Sequence, residues 1–149
     1  MKSVIATSLN KFPKEKGIYI LSLQLIESKL ITVGKLGSFN FDSGNYYYIG
    51  SAVGSGGIAG RIKHHFEITE KPHWHIDYLR YHSTFKSVYF KISSKDDEHL
   101  TALILSEIMI PPIKYFGSSD CNCSSHLFYS KSNTNLKRFL SDFSKVNFK

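Results

Sequence analysis

Cysteine is scarce: Cys121 and Cys123 are the two in 149 residues. Set so close together they are awkward disulfide partners, and a secreted scaffold stapled by disulfides would carry more. A reducing cytoplasm is therefore the expected setting. Long apolar runs are missing too; none approaches the roughly 18 residues of a membrane-spanning helix. The opening MKSVIATSLNKFPKEKG has neither the apolar core nor the cleavage pattern of a signal peptide. Internal repeats and low-complexity stretches are absent, which leaves no sign of a repeat array or of a second domain. Acidic residues are in deficit, 12 against 19 Lys and Arg, for a net charge of +7. With a pI near 9.4, that balance points to an anionic partner such as nucleic acid or a membrane surface.

What is present is enough for a core. Apolar residues make up 42% and aromatics 14% of the chain, as in a folded domain rather than a disordered one. After a lysine-rich lead-in, Gly17 starts a strand with Tyr19, Leu21, Leu23 and Leu25 on one face. Leu30–Val33 returns as a second strand, suggesting a hairpin, and Gly34–Gly44 has loop chemistry. Asn45–Ile49 is a third strand carrying three consecutive tyrosines. Phe85–Ile92 alternates as another. Ser94 reads as the N-cap of a helix running to about Ile110, apolar nearly all round and expected to be buried. Ile113–Phe116 and Leu127–Tyr129 are short strand candidates, and an amphipathic helix is expected near Asn133–Phe143.

The densest stretch is Gly44–Phe66, GNYYYIGSAVGSGGIAGRIKHHF. Its helix, roughly Ile58–Glu67, has an apolar stripe of Ile58, Ile62 and Phe66. At about 100° per residue, Arg61 and His65 fall side by side on the flank of that stripe, with Lys63 and His64 towards solvent. Pro72–His82, PHWHIDYLRYH, reads as a short helix or helical turn.

Gly17-Ile18-Tyr19 and Tyr48-Ile49-Gly50, followed by Arg61 in the next helix, resemble the signatures of the GIY-YIG nuclease superfamily. The likeness is closest to a subgroup of compact archaeal and bacterial proteins of uncharacterised role, some fused to an endonuclease III-like glycosylase. Its matching stretches are YYYIGSAVGSGGIAGRIKHH, HWHIDYL and FGSSDCNCSSHLFY, so it spans roughly residues 17–130. The resemblance implies an α+β fold with a small, mainly antiparallel sheet flanked by helices. One domain over 1–149 is expected, with its core at about 17–130 and a C-terminal helix at 133–143. The 28 residues between Tyr19 and Tyr48 exceed the link in many members, so an extra N-terminal hairpin, Leu30–Phe41, is expected.

Phosphodiester hydrolysis with one divalent cation, Mg²⁺ or Mn²⁺, is the activity the resemblance implies, on DNA and in a repair setting. Tyr19 and Tyr48 would stand by the scissile phosphate and Arg61 would steady its charge. A glutamate on a later helix would hold the metal. A guanidinium suits phosphate oxygens, and one carboxylate with waters is enough for Mg²⁺. Glu98 is preferred to Glu107 for that role, because it shares a helix face with Ala102, Leu105 and Met109. An inward carboxylate needs a partner. Tyrosine, with an ordinary pKa of about 10, is a poor base at neutral pH. Where some members have a lysine after YIG this chain has Ser51, and His65 could relay the proton instead.

Lys63, His64 and the amides of Gly56 and Gly57 at the helix start are the expected nucleic-acid contacts. Cys121, Cys123 and His126 could suggest zinc, but C-x-C-x2-H lacks the usual spacing and buried packing is preferred. His73 and His75 are expected to be structural, while Trp74 could stack on a base. A binding module with little or no catalysis is the alternative.

Overall fold

A computed structural model describes residues 10–67, 70–117 and 125–148. The fold is α+β. Its strand β1 (Gly17–Leu25) lies at the middle of a five-stranded sheet. The order is β6-β4-β1-β5-β7, with β4 Gly44–Ala52, β5 Thr84–Ile92, β6 Leu127–Ser130 and β7 Ser144–Asn147. All neighbours are antiparallel. Strands β2 (Lys29–Val33) and β3 (Gly37–Phe41) form a separate hairpin.

The expected extra hairpin over Leu30–Phe41 is therefore present, but β2 pairs with β3 and not with β1. Both edges of β1 are already taken by β4 and β5, so β2 must find its hydrogen bonds elsewhere. Gly34–Gly44, expected as a loop, holds a 3-10 turn and β3.

Side chains alternate across β1 into two cores, as a central strand requires. Tyr19, Leu21, Leu23 and Leu25 meet helices α1 (Gly57–Phe66) and α2 (His75–His82) through Ile58, Ile62, Ile76 and Leu79. Ile18 and Ile20 face α3 (Asp96–Ile108), through Ala102, Leu105 and Met109. In β5 the alternation breaks. Register shifts between Ser22 and Leu23, so Phe85 and Val88 both enter the first core. A bulge inverts the facing of every residue beyond it.

Four further expectations are corrected. Helix α3 is not buried all round: Leu100 and Leu103 are each 60% exposed, since only one stripe can touch a flat sheet. Its N-cap is Lys95 rather than Ser94, whose carbonyl takes the Asp97 N–H. Ile113–Phe116 forms turns, not a strand. Near Asn133–Phe143 there is only a 3-10 turn at Leu136–Arg138. Leu136, Leu140 and Phe143 still reach the second core. However, the Tyr47 hydroxyl accepts the Thr134 N–H and that of Tyr89 the Leu136 N–H. The Asn135 side chain takes the Lys137 N–H. A helix of that length is marginal alone, and these side-chain bonds outcompete it.

No helix among the described residues is long and apolar enough to cross a membrane.

Candidate active site

Two glycines explain how the strands bring their tyrosines together. Gly17 lies under α1; a Cβ there would overlap the Lys91 carbonyl oxygen and sit 2.7 Å from Ile58 Cδ1. Gly50 is the cross-strand partner of Tyr19, and the Tyr19 ring lies across it. A Cβ on Gly50 would stand 2.5 Å from the Tyr19 hydroxyl oxygen. Gly50→Ala is therefore expected to push Tyr19 aside and cost about 1–3 kcal/mol, read as a lower midpoint in urea denaturation. An unchanged midpoint would contradict this packing.

Strand β6 covers β4 only as far as Tyr48, paired with Leu127. Past that point residues from both faces of the sheet meet around the open edge of β4. A polar cavity of about 320 Å³ lies there, lined by Tyr19 and Tyr48 from the sheet, Arg61 from α1 and Glu98 from α3. Trp74, His75, Lys95, Gly117 and His126 are among its other wall residues. Four of the five expected catalytic residues thus reach one cavity. The fifth, His65, lies behind it, fully buried, with Nε2 2.7 Å from the Tyr19 hydroxyl. Glu107 is exposed on the far side of α3, as the helical angle requires.

Burial pushes the His65 pKa down to about 3, and the electrostatic influence of His64 adds to this. The ring is neutral and a weak proton acceptor, so the expected proton relay through His65 is not supported. Its Nδ1 is buried with no partner. An orphaned N–H is the costlier arrangement, which places the proton on Nε2. His65 then donates to Tyr19, leaving the Tyr19 hydroxyl proton for the cavity. Burial raises the pKa of both tyrosines; each also feels the Glu98 carboxylate, while Arg61 acts the other way. Neither is a base near neutrality.

Glu98 is 6% exposed. Burial raises its pKa, opposed by a hydrogen bond from Ser51 and by the charges of Lys95, His99 and Arg61. Ser51, the departure from the lysine pattern, thus supports the carboxylate. Glu98 is the only acidic side chain lining this cavity among the described residues. A desolvated carboxylate facing a polar cavity fits a hard divalent cation that keeps several waters.

Arg61 is held by its neighbours. Its guanidinium carbon lies 4.4 Å from the centroid of the Trp74 ring. Trp74 and His73 give their backbone N–H groups to Asp77 Oδ2, and Asp77 Oδ1 lies 3.3 Å from His64 Nε2. His64, His65 and Asp77 form a metal-type cluster with ligand atoms within 4.8 Å, but the carboxylate already anchors the start of α2. His64 packs on Trp74 at 4.6 Å between centroids while its side chain stays 37% exposed.

The expected anion contact at Gly57 is also corrected. The N–H groups of Gly57, Ile58, Ala59 and Gly60 go to the carbonyls of Gly54, Glu15, Pro13 and Gly56. The lead-in before β1 occupies this helix end through Ile58 and Ala59, and the amides of Gly57 to Gly60 are all taken. Lys63 remains exposed. Cys121 and Cys123 lie outside the described residues. His126 is buried, with its pKa lowered to about 4 by burial and then by His99 and Lys95. Sequence reasoning missed Lys95 and undervalued Trp74 and His75; the HWH triplet at the start of α2 was the one signal for the latter two.

The family model for the domain of unknown function DUF123 matches residues 18–148, and the chain belongs to that family. A search of curated proteins and a search of solved structures each return no match.

Proposed function

We propose that this chain is a divalent-metal-dependent endonuclease of the GIY-YIG type that hydrolyses DNA phosphodiester bonds, in a repair-linked setting. The observation that carries the reading is the convergence of Tyr19, Tyr48, Arg61 and Glu98 on one polar cavity. Arg61 and Lys95 make that cavity attractive to a phosphate. Arg61 takes non-bridging oxygens while its stack on Trp74 limits the orientations it samples. The hydroxyls of Tyr19 and Tyr48, neutral at working pH, donate to phosphate oxygens and accept no proton. Glu98 is the residue that would hold Mg²⁺ or Mn²⁺, which would supply positive charge against the oxygens of the transition state.

One observation favours a second reading. With both tyrosine pKa values raised and that of His65 lowered, none of the three groups expected to move a proton is tuned as a base at neutral pH. A nucleic-acid-binding module with little catalysis uses the same scaffold and charge. The test is incubation with supercoiled, linear, branched and single-stranded DNA, with Mg²⁺, with Mn²⁺ and with EDTA. Cleavage that requires the metal is expected. Salt-sensitive binding without cleavage on every substrate would establish the second reading in its place.

A further inference from the structure

His75 stands at the start of α2 and forms part of the cavity wall beside Arg61, Tyr48 and Glu98. Its Nδ1 accepts the backbone N–H of Gly117 at 2.9 Å, and its ring meets Phe116 edge-on at 5.6 Å. Gly117 has φ +68°, and a Cβ there would come within 2.8 Å of Tyr48 Cε1. The backbone can bring this amide to His75 only because no side chain stands between it and Tyr48.

A nitrogen that accepts an N–H bond carries no proton. A neutral imidazole bound in this way has its proton on Nε2 and can only donate with that atom. Burial lowers the His75 pKa, which keeps the ring neutral. The wall thus gains a directed donor without a third cation beside Arg61 and Lys95. Such a donor suits an acceptor-only ligand, and it does not repel a cation at Glu98.

We propose that His75 is a further ligand-contacting residue of this cavity: its Nε2–H, locked by the Gly117 amide, donates to an oxygen of the phosphate that Arg61 binds. This rests on the phosphate-binding half of the proposed function and not on hydrolysis. The test uses the full chain with ¹⁵N-labelled histidine and inorganic phosphate as the probe. His75 is expected to show protonated Nε2 and bare Nδ1, and its Nε2–H signal to move downfield as phosphate is added.

His75→Asn keeps an acceptor for the Gly117 amide but removes the cavity donor, and should weaken phosphate binding about tenfold. His75→Gln, which restores an N–H near the Nε2 position, should recover most of that loss. A protonated Nδ1, an unmoved Nε2–H signal at saturating phosphate, or no phosphate binding by the unaltered chain would each overturn the proposal. So would unchanged affinity in a folded His75→Asn variant. If that variant does not fold, the signals of the unaltered chain decide alone. Cleavage assays run alongside separate the two readings. Phosphate held by His75 with no cleavage of any DNA would sink the nuclease and leave this contact standing. Cleavage with unchanged kcat and KM in His75→Asn would do the reverse.

Discussion

Replacing Arg61 by alanine is expected to lower metal-dependent DNA cleavage by about 10²–10³-fold, with little change in stability. The activity loss follows from removing a preorganised cation aimed at developing phosphoryl charge. Position is the reason for expecting so much from one residue. Arg61 lies on the flank of α1, in the cavity wall and over the face of Trp74. The small stability effect follows from burial. Arg61 is half-exposed, and its stack on Trp74 contributes about 1 kcal/mol at such a site. Arg61→Lys should recover little, because an ammonium cannot reproduce the planar fork or the stack. Binding should also lose about one unit of its salt slope, as expected for one phosphate contact. Measured by single-turnover cleavage beside thermal denaturation, retention of more than a third of wild-type rate in a folded Arg61→Ala variant would end this assignment.

Acidification should destabilise the domain well above the pH at which its carboxylates titrate. The folded-state pKa of His65 lies at about 3, against 6.5 ordinarily. Between those values the unfolded chain binds a proton that the folded chain excludes, so stability rises with pH across that window and is level above it. Followed from about pH 7 down to pH 3, the linkage at His65 alone amounts to on the order of several kcal/mol. His126, lowered to about 4, acts in the same direction. Glu98 opposes them: its raised pKa means that the folded state binds the proton more readily, so its effect on stability falls as pH rises. Two buried histidines outweigh one carboxylate, and a domain stable by about 5–15 kcal/mol would lose a large part of that. Urea midpoints at pH 7.5, 6 and 5 should fall steadily. In His65→Phe, where no ring can be protonated, the fall should be distinctly shallower. Equal slopes in the two proteins would show that His65 does not stay neutral in the fold.

Much of the site was legible in local spacing. Gly17, Tyr19, Tyr48, Gly50 and Arg61 occupy the positions their motifs suggest, because each depends on a strand or helix register only a few residues long. Glu98 was separable from Glu107 by helical angle alone, and one is buried while the other is exposed. Errors came where the deciding partner is distant in the chain. The glycine-rich start of α1 looks like an anion site until Pro13 and Glu15 take the amides of Ala59 and Ile58 and Gly54 takes that of Gly57. The segment near Asn133–Phe143 has helical spacing, yet Tyr47 and Tyr89 hold its backbone by side-chain bonds. His65 resembles a proton relay until its burial is known.

The sequence by itself determined strands β1, β2, β4, β5 and β6, the motif positions, the basic charge and the identity of the inward glutamate. Those follow from periodicity and composition, which need no neighbours. Only the tertiary structure decided protonation, tautomer and access: which histidines stay neutral, which amides are spent, and which residues wall the cavity. Those properties depend on desolvation and on hydrogen-bond partners tens of residues away, and no local pattern encodes them.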